Sequence, residues 1–318
     1  MSAAAGMAAE GWAQRRERGT LFLMKLCFLG LRWLPRPVML PFVRLAVLYF
    51  LVFGRAARMA VFDYLARAGA ACAVPGLGAN WRSAWRLYRE FGDAILDRLD
   101  AWLGRLGLER LIFEDFPLVQ SMRESGRGAL IIGSHLGNLE VFRALGELNS
   151  KIVLNVLLHT RHAGRYNEIL AQAGASQLRL WQVTSLDAAT TLKLRERIAA
   201  GEWVFIAGDR VPVHGGRTIE VDFLGSRAPL PIGPYILASV LECPTYLMFC
   251  LREGRRYRIV VERFAERLSL PRPDRQRSLA DWAQRYAGRL EHWLRRAPLQ
   301  WFNFYPFWQP GAGSKADA

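Results

Sequence analysis

Short apolar runs alternate with helix-like periodic segments through the middle of the chain. Apolar runs bounded by turn residues predict strands, and apolar positions at the 3.6-residue period predict helices. The predicted strands cover residues 128–133, 151–158, 177–183 and 203–207, and the helices between them cover 138–148, 163–174 and 186–200. This alternation predicts an α/β fold with a largely parallel sheet, flanked by helices and linked by right-handed crossovers.

The pattern changes after the fourth of these strands. We predict an apolar helix over residues 232–241, a strand hairpin formed by 246–252 and 257–264, and a charged amphipathic helix over about 276–296. Six aromatic residues follow within 298–310. They either cap the core or contact the bilayer, and capping of the core is favoured.

The first third of the chain is predicted to be helical. A long amphipathic helix opens at Asn80 or Ser83, and its apolar stripe indicates a face turned toward the core. The stripe consists of Trp85, Tyr88, Phe91, Ile95, Leu99 and Trp102. We divide the chain into an apolar segment, 1–54, and an α/β domain, 55–318, which is helical over 55–110 and carries the catalytic core over 111–318.

Residues 20–54 predict a membrane-associating region. The longest piece without a charge has only about nine residues, whereas a helix that spans a bilayer needs about 20. Prolines and arginines interrupt the segment, so helices lying at the membrane interface are favoured over a tilted span. The expected attachment is peripheral or through a single anchor.

The charge balance predicts an anionic partner. Lys and Arg number 43 against 28 Asp and Glu, which gives a formal net charge of +15. Eleven Trp and seventeen Phe favour an anionic membrane surface over nucleic acid, and the sequence has no zinc finger, RNA-recognition signature or basic heptad. We therefore expect no nucleic-acid partner.

Cysteine and histidine spacing gives no sign of a metal or a cofactor. The four cysteines lack a CxxC pair, and the five histidines form neither HxxxH nor HExxH. Cysteines in apolar contexts without ligand spacing are typical of a reducing, cytoplasmic compartment.

The candidate chemistry follows the 128–133 strand, in the sequence Gly-Ser-His-Leu-Gly-Asn-Leu-Glu of residues 133–140. Strand, turn and helix in succession place His135 in the turn and Glu140 in the first turn of the helix. A carboxylate that reaches back to the imidazole would make His135 a general base. Spacing alone is explained equally well by an exposed histidine and a glutamate favoured by the helix dipole.

This motif resembles the HxxxxD/E motif of the lysophospholipid acyltransferase superfamily. Its form is similar to the GxHxGNxE version of bacterial lipid A biosynthesis (lauroyl/myristoyl) acyltransferases. The resemblance implies that His135 and Glu140 are catalytic and that Asn138 binds substrate. Arg161 and Asn167, after the 151–158 strand, match an Arg and an Asn of the family and are assigned to substrate binding.

Two further segments resemble the same family. Asp209 matches the first residue of its Asp-Gln pair, whereas Arg210 departs from it. Both follow the 203–207 strand to the sheet edge that carries His135, and both are assigned to substrate binding. Residues 221–229, which include Arg227, resemble its Phe-Phe-Gly-x-x-Ala segment. Taken singly, each arginine is better explained as a surface salt bridge or a membrane contact. Together they favour a substrate pocket for phosphates or a carboxylate, formed by Arg161, Arg210, Arg217 and Arg227.

The resemblance implies an O-acyltransferase. His135 would deprotonate a hydroxyl of a lipid or glycolipid acceptor, and that hydroxyl would attack the thioester of an acyl carrier protein or coenzyme A co-substrate. No GxSxG motif is present, so a covalent enzyme intermediate is not expected. We expect a monomer at the cytoplasmic face of the bacterial inner membrane.

Two alternatives remain open at this point. One is a non-catalytic, basic lipid-binding protein of the membrane surface. The other is a lipid hydrolase in which His135 activates water.

Overall fold

A computed structural model describes residues 30, 34–102, 105–138, 153–158, 178–182, 188–211 and 216–308. Glu140, Arg161, Asn167 and the predicted helix 163–174 lie outside these residues, as does all but the first residue of the predicted helix 138–148. Within the described ranges the helices are α1 (Arg36–Phe53), α2 (Arg55–Cys72), α3 (Trp81–Trp102), α4 (Phe116–Glu124), α5 (Ala188–Ala199), α6 (Gly233–Leu241) and α7 (Arg275–Arg296). The strands are β1 (Leu111–Phe113), β2 (Ala129–Gly133), β3 (Leu154–Leu158), β4 (Leu178–Gln182), β5 (Trp203–Ala207), β6 (Thr218–Phe223), β7 (Ser226–Pro231), β8 (Thr245–Glu253) and β9 (Arg256–Ala265).

Seven strands form one mixed sheet in the order β1-β9-β8-β2-β5-β3-β4. Neighbouring strands are parallel except β8 and β9, which form the predicted antiparallel hairpin. The prediction of an α/β fold with a largely parallel sheet and flanking helices is confirmed.

β2 lies in the middle of this sheet, between β5 and β8. All five of its residues are buried, as expected for an apolar run covered on both faces. Leu130 and Ile132 face the larger core, while Ala129 and Ile131 face the smaller core on the other side. In the parallel pairing with β5, Gly133 lies opposite Ala207, so the turns that follow these two strands meet at one edge.

Four of these elements were not predicted from the sequence: α4, β1, β6 and β7. β1 is only three residues long and pairs with β9 at the sheet edge. β6 and β7 form a separate hairpin through Leu224 and Gly225, both of which have positive φ values. Polar and apolar residues alternate along β6, and the apolar ones are buried in the structure. This alternation was the sequence signal for a strand.

α1 runs unbroken through Pro41, although prolines and arginines interrupt the apolar pattern of this segment. Its inner face, which buries Met39, Val43, Val47 and Leu51, packs against α3. The arginines are neutralised from the α3 side: Arg36 pairs with Asp97 and Asp100, and Arg44 pairs with Asp93 at 2.6 Å.

The outer face of α1 exposes Phe42, Leu45, Tyr49 and Phe53. Among the described residues, α1 is the one helix that is long and apolar enough to cross a membrane by length and composition. The N-terminal region is thus apolar enough to associate with a membrane.

Candidate active site

The turn after β2 is held in place by two distant segments. The backbone N–H of Gly137 donates to the Gln300 carbonyl at 2.9 Å, and the N–H of Asn138 donates to the Cys250 carbonyl at 2.8 Å. Gly137 has a φ of +80°, and a Cβ at this position would lie 1.9 Å from the Cys250 carbonyl oxygen. The turn therefore requires glycine for its backbone conformation and for the close approach of β8.

We expect Gly137→Ala to lower the free energy of unfolding by about 2 kcal/mol or more, because left-handed strain and a backbone clash add together. Chemical denaturation monitored by tryptophan fluorescence measures the change. The matched control is Gly288→Ala in α7, where an added Cβ meets no atom within 4 Å and alanine favours the helix. Equal stability of the two variants would contradict this account of the turn.

His135 and Asp209 meet at the carboxyl edge of the sheet. Each follows its strand by two residues, so the pairing of Gly133 with Ala207 continues into this contact. The His135 Nδ1 lies 2.8 Å from Asp209 Oδ1, and the His135 backbone N–H donates to Asp209 Oδ2 at 2.8 Å. Parallel register thus brings together two residues that are 74 positions apart.

Trp301 completes the surroundings of the carboxylate. Its indole Nε1–H donates to Asp209 Oδ2 at 2.9 Å, and its backbone forms an isolated bridge with Leu136. Asp209 is completely buried, so its two oxygens are taken up by His135 and Trp301. A buried carboxylate held by three hydrogen bonds has little freedom to rotate, and it fixes the imidazole that it contacts.

The contact with Asp209 determines which ring nitrogen of His135 carries the proton. An ionised carboxylate only accepts hydrogen bonds, so the Nδ1 of His135 carries the hydrogen and Nε2 keeps its lone pair. The His135 side chain is 36% exposed although Asp209 is fully buried. The imidazole is therefore accessible to a substrate while Asp209 contacts its Nδ1.

The charges of the site favour a neutral imidazole beside a carboxylate. Burial lowers the pKa of His135; Asp209 opposes this, and the positive charges of Arg210 and Arg98 lower the pKa further. For Asp209, burial alone would raise the pKa, but His135, Arg210 and the Trp301 hydrogen bond bring it down to about 2. At neutral pH the pair is set to accept a proton at Nε2.

Tyr286 packs against the ends of the strands that carry His135 and Asp209. The Tyr286 hydroxyl donates to the Gly133 carbonyl at 2.8 Å, and burial raises the pKa of Tyr286 well above its usual range. A Cβ on Gly208 would lie 2.9 Å from the Tyr286 ring, so a glycine is needed where β5 turns into the site. This packing fixes the strand ends that carry His135 and Asp209.

Of the residues predicted to bind substrate, Arg210 lies beside the His135–Asp209 pair, whereas Asn138 and Arg227 bind other parts of the chain. Asn138 is buried, and its side-chain amide donates to the Ala94 carbonyl of α3 at 3.0 Å, so that group fixes the turn. Arg210 is half-buried beside the pair and donates to the Phe302 carbonyl at 2.7 Å. In the described part of the chain, the Arg227 guanidinium contacts its own hairpin, at Asp222 and the Glu220 carbonyl, rather than His135.

Asp209 occupies the position that the sequence analysis assigned to Glu140. Since Glu140 lies outside the described residues, its role remains a prediction. Two contributors, Trp301 and Arg98, were missed. The aromatic residues near Trp301 predicted only core packing, and no spacing in the sequence relates either residue to His135.

Among the described residues, no group of three or more His, Cys, Asp and Glu side chains could hold a metal ion. The described residues of this site offer proton transfer through His135 and binding of anions by the neighbouring arginines.

The family model described as bacterial lipid A biosynthesis acyltransferase matches residues 78–310. A search of curated proteins finds no significant match to the chain. The matched range contains the whole mixed sheet, His135, Asp209 and Trp301. The chain thus belongs to the bacterial lipid A biosynthesis acyltransferase family and is a lipid acyltransferase.

Proposed function

We propose that the protein transfers a fatty acyl group from an acyl thioester to a hydroxyl of a lipid or glycolipid acceptor, with His135 as the general base. The observation that carries this proposal is the His135–Asp209 pair, in which Nδ1 is held by a buried carboxylate and the imidazole side chain is 36% exposed. Nearby cations favour the neutral ring that a base needs at neutral pH.

Each group has one task in the proposed reaction. Nε2 of His135 takes the proton of the acceptor hydroxyl as its oxygen attacks the thioester carbonyl. The tetrahedral intermediate collapses, the C–S bond breaks, and the thiolate takes the proton back from the imidazolium. Asp209 stabilises that imidazolium and acts as a positioning residue, because it touches His135 and not the substrate.

The donor is proposed to be acyl carrier protein or coenzyme A carrying the acyl thioester. The test uses purified protein with each thioester, with and without an acceptor lipid extract, and mass spectrometry of the products. An ester that appears only when both substrates are present supports acyl transfer. Free fatty acid at an equal rate without the acceptor would identify a hydrolase instead.

The proposed location is the cytoplasmic face of the bacterial inner membrane, with α1 lying on the bilayer. One face of α1 is bound to α3 through Arg36 and Arg44, so the helix is surrounded by protein on that side. The opposite face is apolar and exposed, which suits a helix embedded in the membrane interface.

Polar substitutions on this outer face should weaken membrane binding. We expect Phe42→Ser combined with Phe53→Ser to reduce co-flotation with anionic vesicles several-fold, since these rings are 64% and 70% exposed. Phe116→Ser is the matched control, because Phe116 is 52% exposed but lies on α4. Complete release of the unmodified protein by salt at about 0.5 M, well above the physiological value of about 0.15 M, would show that charge rather than α1 attaches the protein to the vesicles.

A further inference from the structure

Several partly buried arginines in the described part of the chain are matched with carboxylates, whereas Arg58 is held by the Leu51 and Val52 carbonyls and by the Trp81 ring. These pairs join Arg36 to Asp97 and Asp100, Arg44 to Asp93, Arg252 to Glu90 and Asp93, and Arg289 to Glu262. Such matching is expected, because an uncompensated cation that loses water is costly.

Arg98 and Arg210 depart from this rule. Both are partly buried, and neither forms an ion pair within the described residues. The Nε of Arg98 is buried there without a hydrogen-bond acceptor. Arg210 donates to the Phe302 carbonyl and lies 5.9 Å from the centre of the Tyr305 ring, while the nearby Asp209 carboxylate is committed to His135 and Trp301.

The two arginines approach the same place from different elements. The Asn138 side chain binds the Ala94 carbonyl, so this face of α3 lies against the turn that carries His135. Arg98 is four residues beyond Ala94, which puts it one helical turn along the same face. On the preceding turn Phe91 packs against Phe302, the residue whose carbonyl holds Arg210.

The electrostatics agree with this placement. The positive charges of both Arg98 and Arg210 act on the imidazole, where they lower the pKa of His135 against the influence of Asp209. Two unpaired cations beside one histidine repel each other and the imidazolium that forms in the reaction. An anion between them would remove both costs.

We propose that Arg98 and Arg210 form a subsite for one anionic group, a phosphate or a carboxylate, on the substrate that reaches His135. Guanidinium groups bind such oxyanions through several charge-assisted hydrogen bonds, and both arginines keep donors available for them. The inference rests on the proposed function for the identity of that substrate. The anion belongs either to the lipid acceptor or to the phosphates of the thioester carrier.

Binding of single probes tests the subsite without any turnover. The full chain in neutral detergent is titrated with octyl phosphate, as a lipid-like anion, and separately with coenzyme A, and octyl glucoside serves as the neutral control. We expect Arg98→Gln and Arg210→Gln each to raise the Kd of at least one anionic probe by about tenfold or more. A response to octyl phosphate assigns the subsite to the acceptor, and a response to coenzyme A assigns it to the donor.

Arg86→Gln is the matched control, since Arg86 is exposed on α3 and its loss should leave both Kd values unchanged. Unaltered Kd values in both charge-removing variants would overturn the subsite. Should a glutamine variant fail to fold, the unmodified protein still decides the question. A bound anion must raise the pKa of His135 in an NMR titration, and the absence of such a rise with either probe would overturn the proposal. Neither measurement requires catalysis, so loss of the subsite and loss of the proposed acyl transfer are separate results.

Discussion

His135→Ala is expected to lower kcat by about two to four orders of magnitude without unfolding the protein, because the reaction loses its general base. The side chain is partly exposed and adds little to the core, and the backbone N–H that binds Asp209 remains. Initial rates with purified protein, together with thermal melting, measure the two effects. The matched control is His292→Ala, an exposed histidine on α7. An unaltered kcat in His135→Ala would contradict the proposed role of His135 as the general base.

The pH profile of the unmodified enzyme follows from the same residue. Only the neutral imidazole can take a proton, so kcat/KM should rise as pH increases through the pKa of His135 and then level off. Because burial, Arg210 and Arg98 lower that pKa, the rising limb should lie below the usual histidine value of 6.5. Arg98→Gln removes one of these causes and should move the limb toward higher pH. A limb above the usual value in the unmodified enzyme would contradict this assignment.

Asp209→Asn is expected to lower kcat by about two to four orders of magnitude through the wrong tautomer of His135. Two donors, the His135 backbone N–H and the Trp301 indole, point at Oδ2, so the amide oxygen of asparagine must take that position. The amide NH2 then faces Nδ1, which becomes an acceptor. The proton of the ring moves to Nε2, where it blocks base catalysis.

Stability separates Asp209→Asn from Asp209→Ala. Alanine leaves three donors without an acceptor, namely the His135 backbone N–H, the His135 Nδ1–H and the Trp301 indole, at a cost of about 1–3 kcal/mol for each one that stays buried. The pKa of Asp209 is lowered to about 2, below its unfolded value near 3.9, so its ionic contribution is complete above that unfolded value. This contribution is lost as pH falls toward 2, and the asparagine variant should lack that loss.

Denaturation midpoints between pH 2 and 7 measure the pH dependence of stability, with the exposed Asp222→Asn as control. Equal kcat in Asp209→Asn and the unmodified enzyme would show that Asp209 does not orient the base. Glu140→Ala should cost less activity than His135→Ala, since Asp209 still holds the imidazole in that variant.

Local pattern was sufficient to predict the strands that carry this chemistry. β2 and β5 are apolar runs in the sequence because both faces of these strands are buried. The turn residues after β2 indicated that His135 lies at the end of a strand. The sequence also placed Asp209 at the same sheet edge. It could not place Asp209 next to His135, because that contact depends on β2 and β5 being neighbours although β3 and β4 lie between them in the chain.

The N-terminal segment shows a different limit of sequence patterns. Pro41 and Arg44 interrupt the apolar pattern of residues 20–54, but α1 is continuous through both. Arg44 forms an ion pair with Asp93, about fifty positions away in the sequence. A local sequence pattern does not predict such a distant partner. The same limit applies to Arg98. In the sequence it is one of several arginines on α3, and only the folded structure shows that it lies near the His135 turn.

The hydrogen bond from Trp301 to Asp209 also constrains when the site can form during biosynthesis. The indole comes from a segment 92 residues after the carboxylate that it binds, and residues 300–301 also clamp the His135 turn. A ribosome-bound chain can contain every strand of the sheet and still lack this aromatic segment. Its histidine and aspartate would be present without the group that fixes them. Catalytic competence therefore requires synthesis to continue past residue 301, well after the N-terminal helices have been made.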